Sequence, residues 1–462
     1  MSRVDRTRLP AAGPDSVFSL PAFSRTILTN GTHVWAAENR RAPMVTILLL
    51  LPVGAAADPS DSPGLAALTA DLLDEGSNDQ SAVQIHKALT RIGGHLSAEV
   101  WSDATVLGLT TLSRHVREGL RLLFEITTQP RFDPDDVARV RDLRLNRVRQ
   151  MRRSPTFVAD RVFLEKLYGT HPYGHLAIGT ETALRKMDPA AVESFHRHWY
   201  KPTSWTLVGV GDVSPDKLLS EAAQVWDQAG VVASEQPSDV SVCEPRPIQD
   251  RMIFVGREEA VQSEIRLGQL AVPRSSPDYY ALRMLNMVLG GQFVSRINLN
   301  LREEKGYTYG ARTSFDWRLG RGPFSLQVSV QTEATVDSIR QAVQELTDIR
   351  ASRPPSVHEL DLARAALTRG YPRSFETASQ IAHAGVQLAL HRLSDDDYTQ
   401  FVPRIMLVDA DDVSRVAVQH LRPDSLLAVV VGSRSEVFEG LGSLGFGAPV
   451  DVTQTTTFSE GN

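Results

Sequence analysis

The chain has 462 residues, 42% of them hydrophobic and 23% charged, with a formal net charge of -6 and one cysteine, Cys243. That much apolar material excludes disorder as the main state. The acidic balance argues against a dedicated nucleic-acid binder, and a single thiol excludes a disulfide framework or a cysteine-rich metal centre.

The length suggests about two to four domains. Residues 1–18 carry Arg3, Arg6, Arg8 and Pro10 but no apolar core, so no signal peptide is read there. The longest apolar run, residues 45–53, falls short of the ~20 residues a membrane helix needs. A cytoplasmic protein without membrane insertion is expected.

In chain order, residues 26–28 and 33–36 read as strands joined at Asn30-Gly31, a pair that favours a type I′ hairpin turn. A strand follows at 45–53, then Pro59, Ser62 and Pro63, then a helix over 64–75. Next come a strand at 106–112, a helix at 116–127, the turn Asp133-Pro134, a long helix over 135–153 and a strand at 206–210. The order then recurs: strand 264–272, Pro273, Ser276 and Pro277, helix 279–289, strand 324–330, helix 336–349, Pro354-Pro355, helix 357–368 and strand 426–431. The offset stays near 218 residues, as between Val45 and Ser263 or Val106 and Phe324.

A repeat of that length means two copies of one unit. The expected division is an N-terminal extension at 1–19, a first repeat at 20–228, a linker at 229–251, a second repeat at 252–440 and a tail at 441–462. Pro237, Pro245 and Pro247 give the linker its surface composition, and the Thr- and Ser-rich end of the tail is expected to be mobile. The irregular alternation of strands and helices predicts an α+β fold. Each repeat is expected to be a mostly antiparallel or mixed sheet covered by helices, rather than a doubly wound parallel sheet.

The second repeat contains Leu289-Gly290-Gly291-Gln292-Phe293-Val294-Ser295-Arg296, then Asn300-Leu301-Arg302-Glu303-Glu304-Lys305-Gly306-Tyr307-Thr308-Tyr309. Gly290-Gly291 ends a helix, because glycine takes the left-handed conformation cheaply. Residues 297–304 read as a short helix stopped by Gly306, and 307–315 as a strand. Arg302 and Tyr309 flank that helix-to-strand turn.

This stretch resembles the C-terminal repeat of the pitrilysin-type zinc peptidases, the inverzincin or M16 family. The match rests on Gly290, Gly291, Ser295, Arg296, Leu301, Arg302, Glu303, Gly306 and Tyr309. His171-Pro172-Tyr173-Gly174 looks like that family's turn in the first repeat. With the duplication, the resemblance covers about residues 20–440. It implies a fold of the LuxS/MPP-like metallohydrolase type.

Active members carry His-x-x-Glu-His on a helix of the first repeat. Two histidines one turn apart hold zinc, and the glutamate between them serves as general base. The equivalent helix here begins Gly64-Leu65-Ala66 and runs to Gly76-Ser77. Ala67 stands for the first histidine, Ala70 for the general base and Asp71 for the second histidine. Spacing puts the family's distal glutamate at Asn146 or Arg147, and neither is acidic. The resemblance therefore implies that this chain binds no catalytic zinc. Two other histidine pairs make poor ligands. Pro172 and Gly174 break any helix between His171 and His175, and His196 and His198 face different ways. Loop or surface histidines are expected instead.

In the resembling enzymes an arginine and a tyrosine of the second repeat contact substrate carbonyls and the oxyanion. The resemblance implies those roles for Arg302 and Tyr309, with Arg296 and Arg312 as further candidates near the same chamber. Some bacterial members are heterodimers in which one subunit carries the zinc motif and the other the arginine and tyrosine. This sequence resembles the second kind. It implies a peptide substrate, a homologous His-x-x-Glu-His partner and zinc in that partner. The alternative is an inert structural or peptide-binding scaffold, like the cytochrome bc1 core proteins. Arg141, Arg144, Arg147, Arg149, Arg152 and Arg153 crowd one helix, and a solvated face paired with Asp135, Asp136 or a partner's carboxylates is expected.

Overall fold

The computed structural model describes residues 18–228, 244–258 and 260–456. Cys243 and most of the expected linker and N-terminal extension lie outside the described residues.

The first half runs β1 (Ser24–Ile27), β2 (His33–Glu38), β3 (Met44–Leu51), α1 (Leu65–Asp71), α2 (Ala82–Arg91), β4 (His95–Val100) and β5 (Thr105–Leu112). It continues with α3 (Val116–Thr128), α4 (Pro134–Met151), α5 (Pro155–Tyr168), β6 (Thr206–Gly211) and α6 (Pro215–Gln228). The second half runs β7 (Met252–Gly256), β8 (Gln262–Leu270), α7 (Tyr279–Asn286), β9 (Ala311–Phe315), β10 (Pro323–Gln331) and α8 (Thr335–Asp348). Then follow α9 (Val357–Thr368), α10 (Ala378–Leu390), α11 (Asp397–Leu407), β11 (Leu427–Gly432) and β12 (Val450–Asp451).

The two six-stranded sheets share one design. Their orders are β1-β2-β6-β3-β5-β4 and β12-β7-β11-β8-β10-β9. Five strands of each sheet take corresponding places, while the edge strands β1 and β12 come from opposite ends of the chain, and β3 and β8 start 218 residues apart (44 and 262). Both sheets are antiparallel except where β2 meets β6 and where β7 meets β11 and β12. The fold is the expected α+β pair of mixed sheets covered by helices. No helix among the described residues is long and apolar enough to cross a membrane.

The local differences have physical causes. Asn30 lacks the positive φ that a type I′ turn requires, and only Gly31 has it, at φ 90°. The register pairs Ile27 with His33, which leaves a five-residue loop (28–32) between the strands. The buried Asn30 side chain closes that loop by accepting from Thr32 N at 3.1 Å. α1 stops at Asp71 rather than at 75, and Gly76–Ser77 pairs with Gln80–Ser81 as a small ribbon. Residues 307–310 do not join the predicted strand: Gly310 N donates to Thr308 Oγ1, and Ala311 N to Asn298 Oδ1, instead of to a neighbouring strand. Val450–Asp451, expected in a mobile tail, instead add a parallel strand to β7, and Thr453 Oγ1 accepts from Gly256 N at 2.6 Å.

The sheets are covered on both faces, which is why β3, β8 and β11 are nearly continuous apolar or buried runs. Each half lends one helix to the other's sheet. α5 lays Val158, Val162 and Phe163 on Ile253, Val255, Val429 and Val431 of the second sheet. α10 lays Ile381, Val386 and Leu388 on Leu48, Leu50, Val208 and Val210 of the first. Close approach explains two glycines. A Cβ on Gly268 in β8 would fall 2.8 Å from the Phe163 ring. One on Gly385 in α10 would fall 2.8 Å from both Phe23 and Val208.

Candidate functional site

α1 is set in place before any catalytic group is considered. The buried Asp58 carboxylate accepts from Gly64 N at 2.6 Å and Ala66 N at 2.7 Å, so it caps the helix. His175 Nε2 lies 3.0 Å from the same carboxylate, and the backbones of Gly64 and Gly179 touch. The His171–Gly174 turn and its continuation therefore position α1. His171 is itself buried, and its Nδ1 accepts from Tyr173 N at 3.0 Å. It is a loop residue, as expected, but its side chain is turned inward. His196 also points inward, with Nε2 2.8 Å from Thr127 O.

On α1, Ala67 and Ala70 are buried methyl groups. Asp71, at the end of the helix, forms an ion pair with Arg144 of α4. Arg144 is held by the carbonyls of Ile178 at 3.3 Å and Ala177 at 3.2 Å. Burial pushes the Asp71 carboxyl above its ordinary range, and the charges of Arg144 and Arg147 only partly offset that. Asp71, Asp74, Glu75, Arg144 and Arg147 rim a cavity of about 360 Å³ with an apolar floor that includes Leu96, Leu107 and Ile126.

This donor set does not fit a zinc ion. Two of the three motif positions are methyl groups, and the third is paired with a guanidinium. Among the described residues no group of three or more His, Cys, Asp or Glu side chains is placed to hold a metal. Of the two residues the spacing offered, Arg147 lines the cavity and has no ion-pair partner among the described residues. Asn146 is exposed and 3.4 Å from Arg149. The sequence reading missed Arg144, one turn before Arg147, whose pairing with Asp71 only the fold reveals.

The other arginines of α4 are largely paired within the chain. Arg149 and Arg152 bind Glu181 at 2.8 and 2.6 Å, and Arg141 donates to Met187 O at 3.1 Å. Arg139 of the same helix pairs with Asp136 at 3.0 Å, whereas the carboxylate that Arg149 and Arg152 share is Glu181, not Asp135 or Asp136.

Arg302 and Tyr309 sit in the second half. The chain leaves α7 through a widened helical turn at Met287–Gly291 and makes another at Leu299–Glu304, which carries Arg302. Such turns recur at functional sites because they re-aim one side chain. Ile297 and Leu301 anchor the segment in the core. Gly306, at φ 68° and with open space around it, releases the chain toward β9. The Arg302 guanidinium lies over the Phe293 ring at 4.0 Å. Its Nη1 is buried without a hydrogen-bond acceptor, although the Glu303 carboxylate is 3.3 Å away in poor geometry. Tyr309 is 93% exposed, and Phe293, the ring under Arg302, is 61% exposed. It is Tyr307 that is anchored, by a 3.1 Å bond to Asp337.

No hydrogen bond among the described residues joins Arg302 to Tyr309, and neither lines the α1–α4 cavity. Arg296 does not line a chamber. It is buried, and it grips Glu359 with two nitrogens at 2.6 and 2.8 Å. Burial alone would raise Glu359, but Arg296 and Ser356 outweigh it and hold the carboxyl at about 2. Arg312 is exposed and 3.5 Å from Gln327.

Comparison with known proteins gives a consistent result. Residues 33–181 match the sequence model of the insulinase domain, peptidase family M16, and residues 186–367 match that of the peptidase M16 inactive domain. An uncharacterised zinc protease of Mycobacterium tuberculosis is 24% identical over 428 residues, 92% of this chain and 96% of its own. A probable mitochondrial-processing peptidase subunit beta of Arabidopsis thaliana is 20% identical over 60% of this chain and 52% of its own. Among solved structures, a peptidase M16 inactive domain from Pseudomonas fluorescens superposes with a TM-score of 0.80 at 24% identity, covering 89% of this chain and 98% of that one. A protease from Helicobacter pylori gives 0.80 at 18% identity over 89% and 100%. The duplicated sheets, the Gly-Gly to Tyr309 segment and these matches agree, and the chain belongs to peptidase family M16.

Proposed function

We propose that the chain is the zinc-free subunit of a two-chain M16 metalloendopeptidase. It supplies Arg302 and Tyr309 to an active site whose zinc is held by a homologous partner carrying His-x-x-Glu-His. The substrates are peptides or unfolded segments. One observation carries this reading. The metal-binding helix is filled by Ala67, Ala70 and the Asp71–Arg144 pair, while Arg302 keeps a buried N–H without an acceptor and Tyr309 stands open to solvent. Peptide hydrolysis places negative charge on the carbonyl oxygen. A guanidinium braced on an aromatic ring and a free phenol are suited to meet it. On this reading the chain binds no zinc and is inactive alone. The relatives called zinc proteases and the solved relative called an inactive domain fit such a division of labour.

The test is native mass spectrometry with metal analysis on the tagged chain purified from its own host. A zinc-containing heterodimer of nearly twice the mass is expected. Arg302→Ala should then lower the turnover of that complex by about 10²–10³-fold with its zinc content unchanged. Unchanged turnover rules out the role of Arg302. A zinc-free monomer or homodimer with no similar partner replaces the proposal with the scaffold reading.

A further inference from the structure

A second cavity, of about 490 Å³, lies in the second half between α7, the end of α9, α10 and α11. It shares no residue with the α1–α4 cavity. Its volume is that of an ordinary small-molecule pocket. Three features define what it would hold.

The first is its walls. Tyr279, Trp317 and Phe401 present aromatic surface to the cavity. Aromatic walls favour a flat, unsaturated guest.

The second is its charge. Arg274 is spent on the buried Asp397 at 2.6 Å, and that carboxylate also accepts from Tyr280 at 3.1 Å. Arg283 has no such partner. It lies between the rings of Tyr279 and Phe401, at 5.7 and 5.5 Å, and gives one N–H to the Tyr279 hydroxyl at 2.9 Å. No carboxylate among the described residues pairs with it. The charged groups lining the cavity are Arg274, Arg283 and Asp397, so one positive charge is left over. Four of the five guanidinium donors remain for a ligand, and the planar fork matches a carboxylate.

The third is a polar edge. Gln387 and His391 line the cavity one helical turn apart, at the end of α10. Neither side chain makes a hydrogen bond within the described residues. Burial draws His391 down to about 4, so it is neutral at pH 7 and adds no second charge.

We infer that this cavity binds a small aromatic carboxylate, with its ring against the aromatic wall, its carboxylate on Arg283 and a second polar substituent at Gln387 and His391. The inference is independent of the proposed peptidase role, because it uses none of the same residues.

The test is isothermal titration of the full-length chain with 4-hydroxybenzoate, 4-hydroxybenzamide and butyrate. The acid should bind saturably at one site per chain. The amide, which lacks the charge, and butyrate, which lacks the ring, should each bind at least about tenfold more weakly, the cost expected for losing a charged hydrogen bond or the stacked surface. Arg283→Gln should abolish the preference for acid over amide. If that variant does not fold, Gln387→Ala decides, and it should weaken 4-hydroxybenzoate several-fold in a protein with an unchanged circular dichroism spectrum. Equal binding of acid and amide, no saturable binding, or affinity unchanged in the folded variants would each overturn the inference.

Discussion

A buried imidazole that must stay neutral makes a fold sensitive to acid, and His196 is such a group. Burial draws it down to about 4, although its bond to the Thr127 carbonyl pulls the other way. In the unfolded chain it titrates near ~6.5. Between those values the unfolded state holds the extra proton. Stability is therefore complete above about pH 6.5 and falls as the pH drops toward 4. Roughly two units of that window, down to pH 4.5, correspond to about 2–3 kcal/mol. His196→Gln can still donate to Thr127 but cannot titrate. Urea unfolding at pH 7 and 4.5 should show the wild type losing about 2–3 kcal/mol more than the variant. Equal losses would mean that the imidazole is solvated in the folded state. The same scale shows the limit of spacing arguments. Helix arithmetic offered Asn146 or Arg147 for the degenerate metal site, but not Arg144, which holds Asp71. That pairing depends on the 177–178 carbonyls that orient the guanidinium, and they lie on a segment remote in sequence.

Among the elements, those with a single periodicity were legible. The apolar run of β3 and the alternation of β5 and β10 marked the duplicated sheets, and α9 begins and ends where its pattern does, from Val357 to Thr368. The exchanged helices α5 and α10 were not legible, because their apolar faces are explained only by a sheet in the other half. Local sequence says that α10 is apolar; it cannot say against what. The widened turns around Arg302 were hidden for a related reason. Their bonding pattern answers to tertiary packing of Ile297 and Leu301 rather than to helix propensity. The exchange makes a quantitative prediction for α5. Phe163 is 3% exposed and fills the space that Gly268 leaves open on β8. Phe163→Ala removes a ring from a packed seam and should cost about 3–5 kcal/mol. The measurement is the shift in the chemical-denaturation midpoint. A cost below about 1 kcal/mol would mean that α5 does not pack tightly on the second sheet.

At the scale of the whole molecule, the internal duplication suggests two separable domains, but the packing argues for one cooperative body. Removing the second half would strip α10 from Leu48, Leu50, Val208 and Val210, and leave α5 with its own apolar face uncovered. The seam is also polar. Tyr168 donates to Arg321 O at 2.7 Å, Gly320 N donates to the Tyr173 hydroxyl at 3.1 Å, and Leu319 N donates to Asp103 at 2.9 Å. Each of these bonds has one partner in each half. Contiguous apolar faces of that kind cause association when exposed. Residues 18–228 and 244–456 produced separately should therefore aggregate or melt without a cooperative transition, and should recover a single transition when produced together. Size-exclusion chromatography and calorimetry distinguish the outcomes. A monomeric, cooperatively melting first half would show that its sheet can cover itself. The seam would then be an interface between two self-standing units, and the spacing of the α1–α4 cavity and the Arg302–Tyr309 segment would rest on that interface alone. If the halves fail alone, the two sites are held at a fixed spacing by the exchanged helices. A partner that inserts its metal site beside Arg302 would then meet a preformed surface rather than a hinge.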